Sequence, residues 1–282
     1  MRVLIIGAGL VGTELARDLR SAGHTVVGTT TTESKVESLR EVCDEVHVLR
    51  GVDSELVAEA AAGADAVVVA AGPNAQRAMT AEERALSYHD VLVATAESVV
   101  AAKPPYVIAL SSLSVYGDAS DHLREVTEDS PVTDSTDASP TTFLQMERTY
   151  LEGLPGDVCV FRCADIYGAG DPPIEAKVKM AHEYLKGSVP FDADALFYRV
   201  NVVDVVGAIE HAIDKRITGV FNLTHDGVPA TNGERFDAIS AAQGLPPFEY
   251  RAELKSPAAP VSVAALAATG FSTQHTKVEV VA

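Results

Sequence analysis

The sequence predicts an α/β protein: a doubly wound parallel sheet with a small carboxyl-terminal α/β lobe. Three observations predict it. Short β-branched runs alternate with alanine-rich helical stretches through the first two thirds of the 282 residues. A glycine-rich turn, Gly7-Ala-Gly9-Leu-Val-Gly12, stands between the first apolar run and the first helical stretch. The run Val107-Ile-Ala-Leu110 is apolar on both faces, as a strand covered by helices on both sides should be.

Taken in order, strands are expected at Arg2–Ile6, Thr25–Thr29, Glu45–Leu49, Ala66–Ala70, Tyr106–Leu110 and Val158–Cys163. Helices fall between them, at Gly12–Ala22, Val36–Val42, Asp53–Ala62, Ala81–Ala102 and Thr141–Glu152. After a Pro-rich turn at Asp171-Pro-Pro come helices near Ile174–Lys186 and Val203–Ile213, then a strand at Gly219–Leu223 that returns to the sheet. The expected division puts residues 1–168 in the large domain, with 200–225 returning to it, and 169–199 with 226–282 in the lobe.

Composition narrows the class of partner. A hydrophobic share of 47% supports a packed core. A formal net charge of -18 opposes nucleic acid and anionic membrane surfaces, since both need a basic face. No apolar run is long enough to span a bilayer, and the glycines and Glu14 near the amino terminus suit a strand and turn better than a signal peptide. Cys159 and Cys163 lie four apart in one expected strand, roughly 13 Å between Cα atoms and beyond disulfide reach. With Cys43 they read as core residues of a cytoplasmic chain. No histidine pair has zinc-ligand spacing, so no metal is expected.

The glycine turn carries a dinucleotide fingerprint because it follows a strand and opens a helix. Gly7 permits the tight turn, Gly9 lets the backbone approach a pyrophosphate, and Gly12 lets helix pack on strand. Leu10 and Val11 then lie at the helix amino terminus, where N–H groups face phosphate. At the end of the second strand, where an acidic residue selects NAD, the sequence reads Thr29-Thr-Thr-Thr32-Glu-Ser-Lys35. Thr30, Thr31, Thr32 and Lys35 favour the 2′-phosphate of NADP; Glu33 leaves NAD open. Ala71 and Gly72, at the end of the fourth strand, complete the cofactor set with Ser111.

The stretch Ser111-Ser-Leu-Ser-Val-Tyr-Gly117 resembles the serine strand of the extended or atypical short-chain dehydrogenase/reductases, the NAD-dependent epimerase/dehydratase family. So do Glu128-Asp-Ser-Pro131, Arg162-Cys-Ala-Asp-Ile-Tyr167-Gly-Ala-Gly170 and Arg199-Val-Asn-Val-Val-Asp204. The resemblance covers most of the chain and implies a Rossmann-type domain, a lobe that closes over a small-molecule substrate, and Ser112 as the residue that touches it. It further implies Tyr116, Tyr167 and Arg199 as substrate contacts. A plainer reading makes Ser112 a strand-end cap or a cofactor-ribose contact, Tyr167 and Arg162 packing and ribose contacts, and Arg199 a surface arginine.

The family's chemistry uses a Tyr and a Lys four residues apart on the helix after the serine strand, where ammonium lowers the phenol pKa. Here those positions hold Thr141 and Gln145, and no lysine occurs between Lys103 and Lys177. Tyr150, nine residues on from Thr141, falls on the opposite helix face. The loop Asp118–Ser139 carries seven carboxylates against Arg124, and is expected near the substrate mouth, where it disfavours a nucleotide-diphosphate sugar. Three readings stay open: an NAD(P)-dependent oxidoreductase or epimerase/dehydratase-like enzyme without its usual pair, a non-catalytic NADP-binding redox sensor, and an interaction scaffold. The helices Ala81–Ala102 and Thr141–Glu152 offer a homodimer face.

Overall fold

The structure, a computed structural model, describes residues 1–73 and 80–275. In chain order the elements are β1 (Arg2–Ile6), α1 (Leu10–Ser21), β2 (Thr25–Thr30), α2 (Val36–Leu39), β3 (Glu45–Val48), α3 (Ser54–Ala61), β4 (Ala66–Val69), α4 (Ala81–Tyr88), α5 (Thr95–Ala102), β5 (Val107–Ser112) and α6 (Ala138–Gly153). There follow β6 (Val158–Cys163), β7 (Asp165–Tyr167), α7 (Ile174–Tyr184), β8 (Ser188–Phe191), β9 (Arg199–Asn201), α8 (Val202–Lys215), β10 (Gly219–Leu223), α9 (Asn232–Ala242), β11 (Glu249–Leu254) and α10 (Ala264–Ala268).

Seven parallel strands form one sheet in the order β10-β6-β5-β4-β1-β2-β3. The central strands are inaccessible because their side chains are apolar on both faces: Val3, Leu4, Ile5, Val67, Val68, Val107 and Ile108 are all fully buried. Each such side chain contributes about 1.5–3 kcal/mol of burial. One face packs under α1 and α8, through Leu15, Ala16, Val205 and Ile209; the other packs under α3, α5 and α6, through Val57, Val99, Met146 and Tyr150. The strand order reverses between β1 and β4, so the crevice at their carboxyl ends is where ligands bind in such sheets.

A second core, of Ile174, Val178, Val189, Phe236, Ile239 and Phe248, is built by α7, α9 and the parallel pair β8 and β11. It hangs over the carboxyl ends of β5 and β6, and β7 and β9 form a short parallel pair beside it. Among the described residues no helix is long and apolar enough to cross a membrane.

Two expected elements differ in shape. The single helix Ala81–Ala102 is α4 and α5 joined by a π-helical turn over His89–Ala94. The Thr95 hydroxyl donates to the Asp90 carbonyl five residues back, at 3.3 Å, and Gly51 packs so tightly there that a Cβ would collide with Thr95. The wider turn accommodates that contact. The serine strand also runs two residues further than Leu110. Ser111 and Ser112 still pair, with Arg162 and Cys163 of β6, so both serines sit inside the ladder rather than beyond it.

Candidate functional site

The glycine turn leaves β1 at Ile6. Gly7 has φ +95°, and a Cβ there would lie 2.6 Å from the Ala71 backbone, so only glycine fits between the ends of β1 and β4. Its N–H donates to Thr29 Oγ1 at 3.0 Å, tying the turn to β2. A Cβ on Gly12 would stand 2.4 Å from the Gly7 carbonyl oxygen, which explains the close helix–strand packing. Gly9 is the opposite case: nothing lies within 4 Å of its missing Cβ. It caps α1 with no side-chain hydrogen bond and no acidic residue in the first turn, leaving N–H groups and the positive dipole end free. Leu10 is half-buried, Val11 is buried against the sheet, and Gly72 is exposed beside the turn.

At the end of β2, Thr30 is buried and its hydroxyl accepts the Thr32 N–H at 3.2 Å. Thr31, Thr32, Glu33, Ser34 and Lys35 are exposed, and Glu33–Lys35 form a single 3₁₀ turn. A missing Cβ on Gly170 would reach 3.7 Å from Leu10, so the turn after Tyr167 overhangs the glycine fingerprint.

The serines diverge. Ser111 is buried and donates to Glu147 of α6 at 2.5 Å, so its hydroxyl faces the protein interior and not a cofactor. Glu147 also binds Arg162 Nε and Nη2 at 3.1 and 2.8 Å, with both side chains under one tenth exposed. Arg162 Nη1 donates to the Tyr116 hydroxyl at 2.9 Å, and that hydroxyl donates to Asn222 Oδ1 at 2.7 Å. Glu128 closes the network by accepting the Asn222 N–H at 2.8 Å. Tyr116, expected as a substrate contact, has no accessible ring surface in this structure, and its phenol is satisfied inside the core. Burial pushes that phenol above its ordinary value, although Arg162 opposes the shift.

Glu147, Asn222 and Glu128 escaped sequence reasoning. A signal existed for one of them: Glu147 interrupts the apolar stripe Phe143, Met146, Tyr150 of one helix, while Arg162 interrupts an otherwise apolar strand. Two opposite charges inside buried patterns imply each other.

Ser112 points the other way. Its Oγ accepts the Ser114 N–H at 3.1 Å, its own hydrogen has no acceptor among the described residues, and it borders a cavity of about 430 Å³. That cavity lies between the end of β5 and the second core, walled by Cys163, Asp165, Ile174, Phe197, Phe236 and Phe248. Burial pushes the Cys163 thiol up to about 12, so it stays a thiol rather than a nucleophile. A second cavity of about 580 Å³ adjoins it and shares Ser114, Phe191 and Ser256. Its walls include Thr133, Ser135 and Asp137, which brings the acidic loop to the mouth. The Ser114 hydroxyl is buried between the two cavities without a partner.

Thr141 and Gln145 are exposed on α6 and border neither cavity; the Thr141 hydroxyl donates to the Ser135 carbonyl at 2.9 Å. The residues of α6 that do border the second cavity are Ser139 and Pro140. Tyr167 and Arg199 border neither. The Arg199 guanidinium stacks 4.2 Å from the Tyr167 ring centre and pairs with Asp165 and Asp171 at 3.2 and 3.5 Å. Among the described residues no group of three or more His, Cys, Asp or Glu is placed to hold a metal.

Known proteins share this fold. Protein YeeZ of Escherichia coli strain K12 is 30% identical over 262 residues, covering 90% of this chain and 88% of that one. MoeE5 in complex with UDP-glucose and NAD superposes with a TM-score of 0.74 at 21% identity, covering 97% of this chain and 94% of that one. UDP-glucose 4-epimerase of Thermotoga maritima, solved with UDP-glucose, gives the same TM-score at 18% identity, covering 97% and 94%. The two structures share the fold, and the pattern of the NAD dependent epimerase/dehydratase family matches residues 3–224, so the chain belongs to that family.

Proposed function

We propose that the chain binds a nicotinamide dinucleotide, with NADP preferred to NAD, and acts as an oxidoreductase or epimerase/dehydratase-like enzyme without the tyrosine–lysine pair usual in its family. The observation that carries the reading is Ser112: a hydroxyl whose hydrogen has no acceptor among the described residues, facing a cavity at the same sheet edge as the glycine turn. The open space over Gly9 and the uncapped start of α1 fit a pyrophosphate. Gly7, Gly9, Leu10, Val11, Gly12, Ala71 and Gly72 would hold the dinucleotide. Thr31, Thr32 and Lys35 would meet the 2′-phosphate, with Thr30 bracing their turn. When bound, the nicotinamide supplies or accepts the hydride.

Ser112 would orient and polarise the substrate oxygen. The missing pair is supported without reference to alignment. Helix α6 contains no lysine, and its one tyrosine, Tyr150, is fully buried with no partner for its phenol. Tyr116 is equally enclosed. The proton at the substrate oxygen is therefore exchanged with water, while Ser112 holds that oxygen in place. Tyr167 and Arg199, stacked over the turn that overhangs Leu10, would sit beside the cofactor. The division into a dinucleotide domain of residues 1–168 with 200–225, and a substrate lobe of 169–199 with 226–282, belongs to the same proposal. So do a cytoplasmic location, which suits three buried free thiols, and a homodimer through α4, α5 and α6.

Titration with NADPH and NADH, followed by nicotinamide fluorescence, tests the reading. Saturable binding is expected, tighter for NADPH, and Lys35→Ala should weaken NADPH roughly tenfold while leaving NADH unchanged. Failure of both nucleotides to bind sinks the proposal.

A further inference from the structure

The cavity beside Ser112 carries no unpaired cation among the described residues. Lys177, which borders it, is held by Asp171 at 2.8 Å, and the same carboxylate also faces Arg199. In the adjoining cavity Arg84 pairs with Asp137 at 2.6 Å and Lys255 with Asp192 at 2.7 Å. Among the described residues, a diphosphate entering either space would meet only charges already neutralised, inside a chain of net charge -18.

Helix amino termini offer no alternative. Ile174 and Asn232, the first residues of α7 and α9, both border the Ser112 cavity. Glu175 places a carboxylate in the first turn of α7. The start of α9 is closed by a capping box in which the Thr231 hydroxyl accepts the Glu234 N–H and the Glu234 carboxylate accepts the Thr231 N–H. Both ends therefore repel or exclude an anion.

What the cavity does offer is apolar and aromatic. Phe197 and Phe236 meet edge to face with centres 4.9 Å apart, and Phe236 meets Phe248 at 6.3 Å and 82°. Ile174, Val178 and Val189 supply the aliphatic wall. Such a box presents ring edges and faces to a ring, and its volume of about 430 Å³ lies in the range of small-molecule sites.

We propose that the substrate is an uncharged, largely apolar, ring-bearing molecule whose single reacting oxygen meets Ser112, and not a nucleotide-diphosphate sugar. This rests on the reading of Ser112 as the substrate-facing edge of a nicotinamide cleft.

The neutral fluorophore N-phenyl-1-naphthylamine, dark in water and bright in apolar sites, tests it on the full chain. One saturable site is expected, undisplaced by UDP or UDP-glucose at millimolar concentration. Ala181→Phe, which fills the cavity from α7, should weaken the probe at least tenfold and leave NADPH titration unchanged. Should that variant not fold, Ser256→Trp fills the space from a loop and carries the same expectation. Displacement of the probe by UDP-glucose, saturable UDP-glucose binding without probe, or a probe signal indifferent to both variants overturns the proposal. The arms separate cleanly: NADPH binding without probe binding removes the substrate class alone, whereas loss of both nucleotides in the wild type removes the underlying reading.

Discussion

Ser111 and Ser112 are neighbours on one strand and face opposite ways, and the difference between their surroundings divides the molecule. On the Ser111 side a carboxylate, a guanidinium, a phenol and an amide satisfy one another in the dry interior. On the Ser112 side the hydroxyl hydrogen has no acceptor among the described residues, and there is space in front of it. Strand alternation alone makes the distinction, since successive side chains leave opposite faces of the sheet. One side holds β5, β6, α6 and β10 together; the other is available for chemistry.

The largest expected effect breaks the enclosed side. Glu147→Leu leaves Arg162 buried without its partner and should lower stability by about 3–5 kcal/mol. Chemical denaturation measures it. The double variant Glu147→Leu with Arg162→Met should recover most of that loss, because an apolar pair of similar volume needs no compensation. A double variant as unstable as the single one would mean the network contributes more than mutual neutralisation.

The open side should respond in the reverse manner. Ser112→Ala is expected to change stability by no more than about 0.5 kcal/mol. It should lower kcat about 10²-fold, the cost of losing one polarising donor. Ser111→Ala should cost about 1–2 kcal/mol of stability, since the Glu147 carboxylate loses a hydrogen bond in the interior. A Ser112→Ala enzyme with unchanged turnover would erase the functional half of the contrast.

How far this contrast was legible follows from what each residue depends on. The sheet strands and the glycine turn rest on local pattern, so Val158–Cys163 and Gly219–Leu223 fall where the β-branched runs put them. The opposite facing of Ser111 and Ser112 was not legible because the strand was expected to end at Leu110, and the pairing runs two residues further. The setting of Tyr116 was hidden for a different reason. Its environment is made by Asn222, more than a hundred residues away, and by Arg162, and no local pattern reports such a meeting. The π turn in the long helix likewise ends against Gly51, a residue outside that helix.

The glycines sharpen the same distinction on the cofactor side, with a smaller effect. Gly12→Ala forces a Cβ toward the Gly7 carbonyl and should cost about 1–3 kcal/mol of stability. Gly9→Ala meets open space, but at φ −93° and ψ −140°, outside the regions alanine favours, so it should cost about 1 kcal/mol of stability. Nucleotide affinity should also fall about tenfold, or roughly 1.4 kcal/mol, because that space is where the pyrophosphate approaches. A Gly9→Ala protein that binds NADPH as well as the wild type would move the phosphates elsewhere.

The smallest effect lies at the cavity mouth, where Asp137 belongs to both regions. It caps α6 by accepting the Ser139 N–H at 2.9 Å and pairs with Arg84 beside the second cavity. Burial alone would push its carboxyl up; the Arg84 and Ser139 hydrogen bonds outweigh burial and hold it below the ordinary value of 3.8. With the folded value depressed, this carboxylate stabilises the protein at pH above its unfolded value, and the contribution disappears as pH falls through the folded one. Asp137→Asn keeps a capping oxygen and loses the charge. The variant should therefore unfold at lower urea than the wild type at pH 6, with the gap closing below about pH 4. A gap that does not narrow at all between pH 6 and pH 3 would assign the role of Asp137 to its shape at the helix end rather than to its pairing with Arg84.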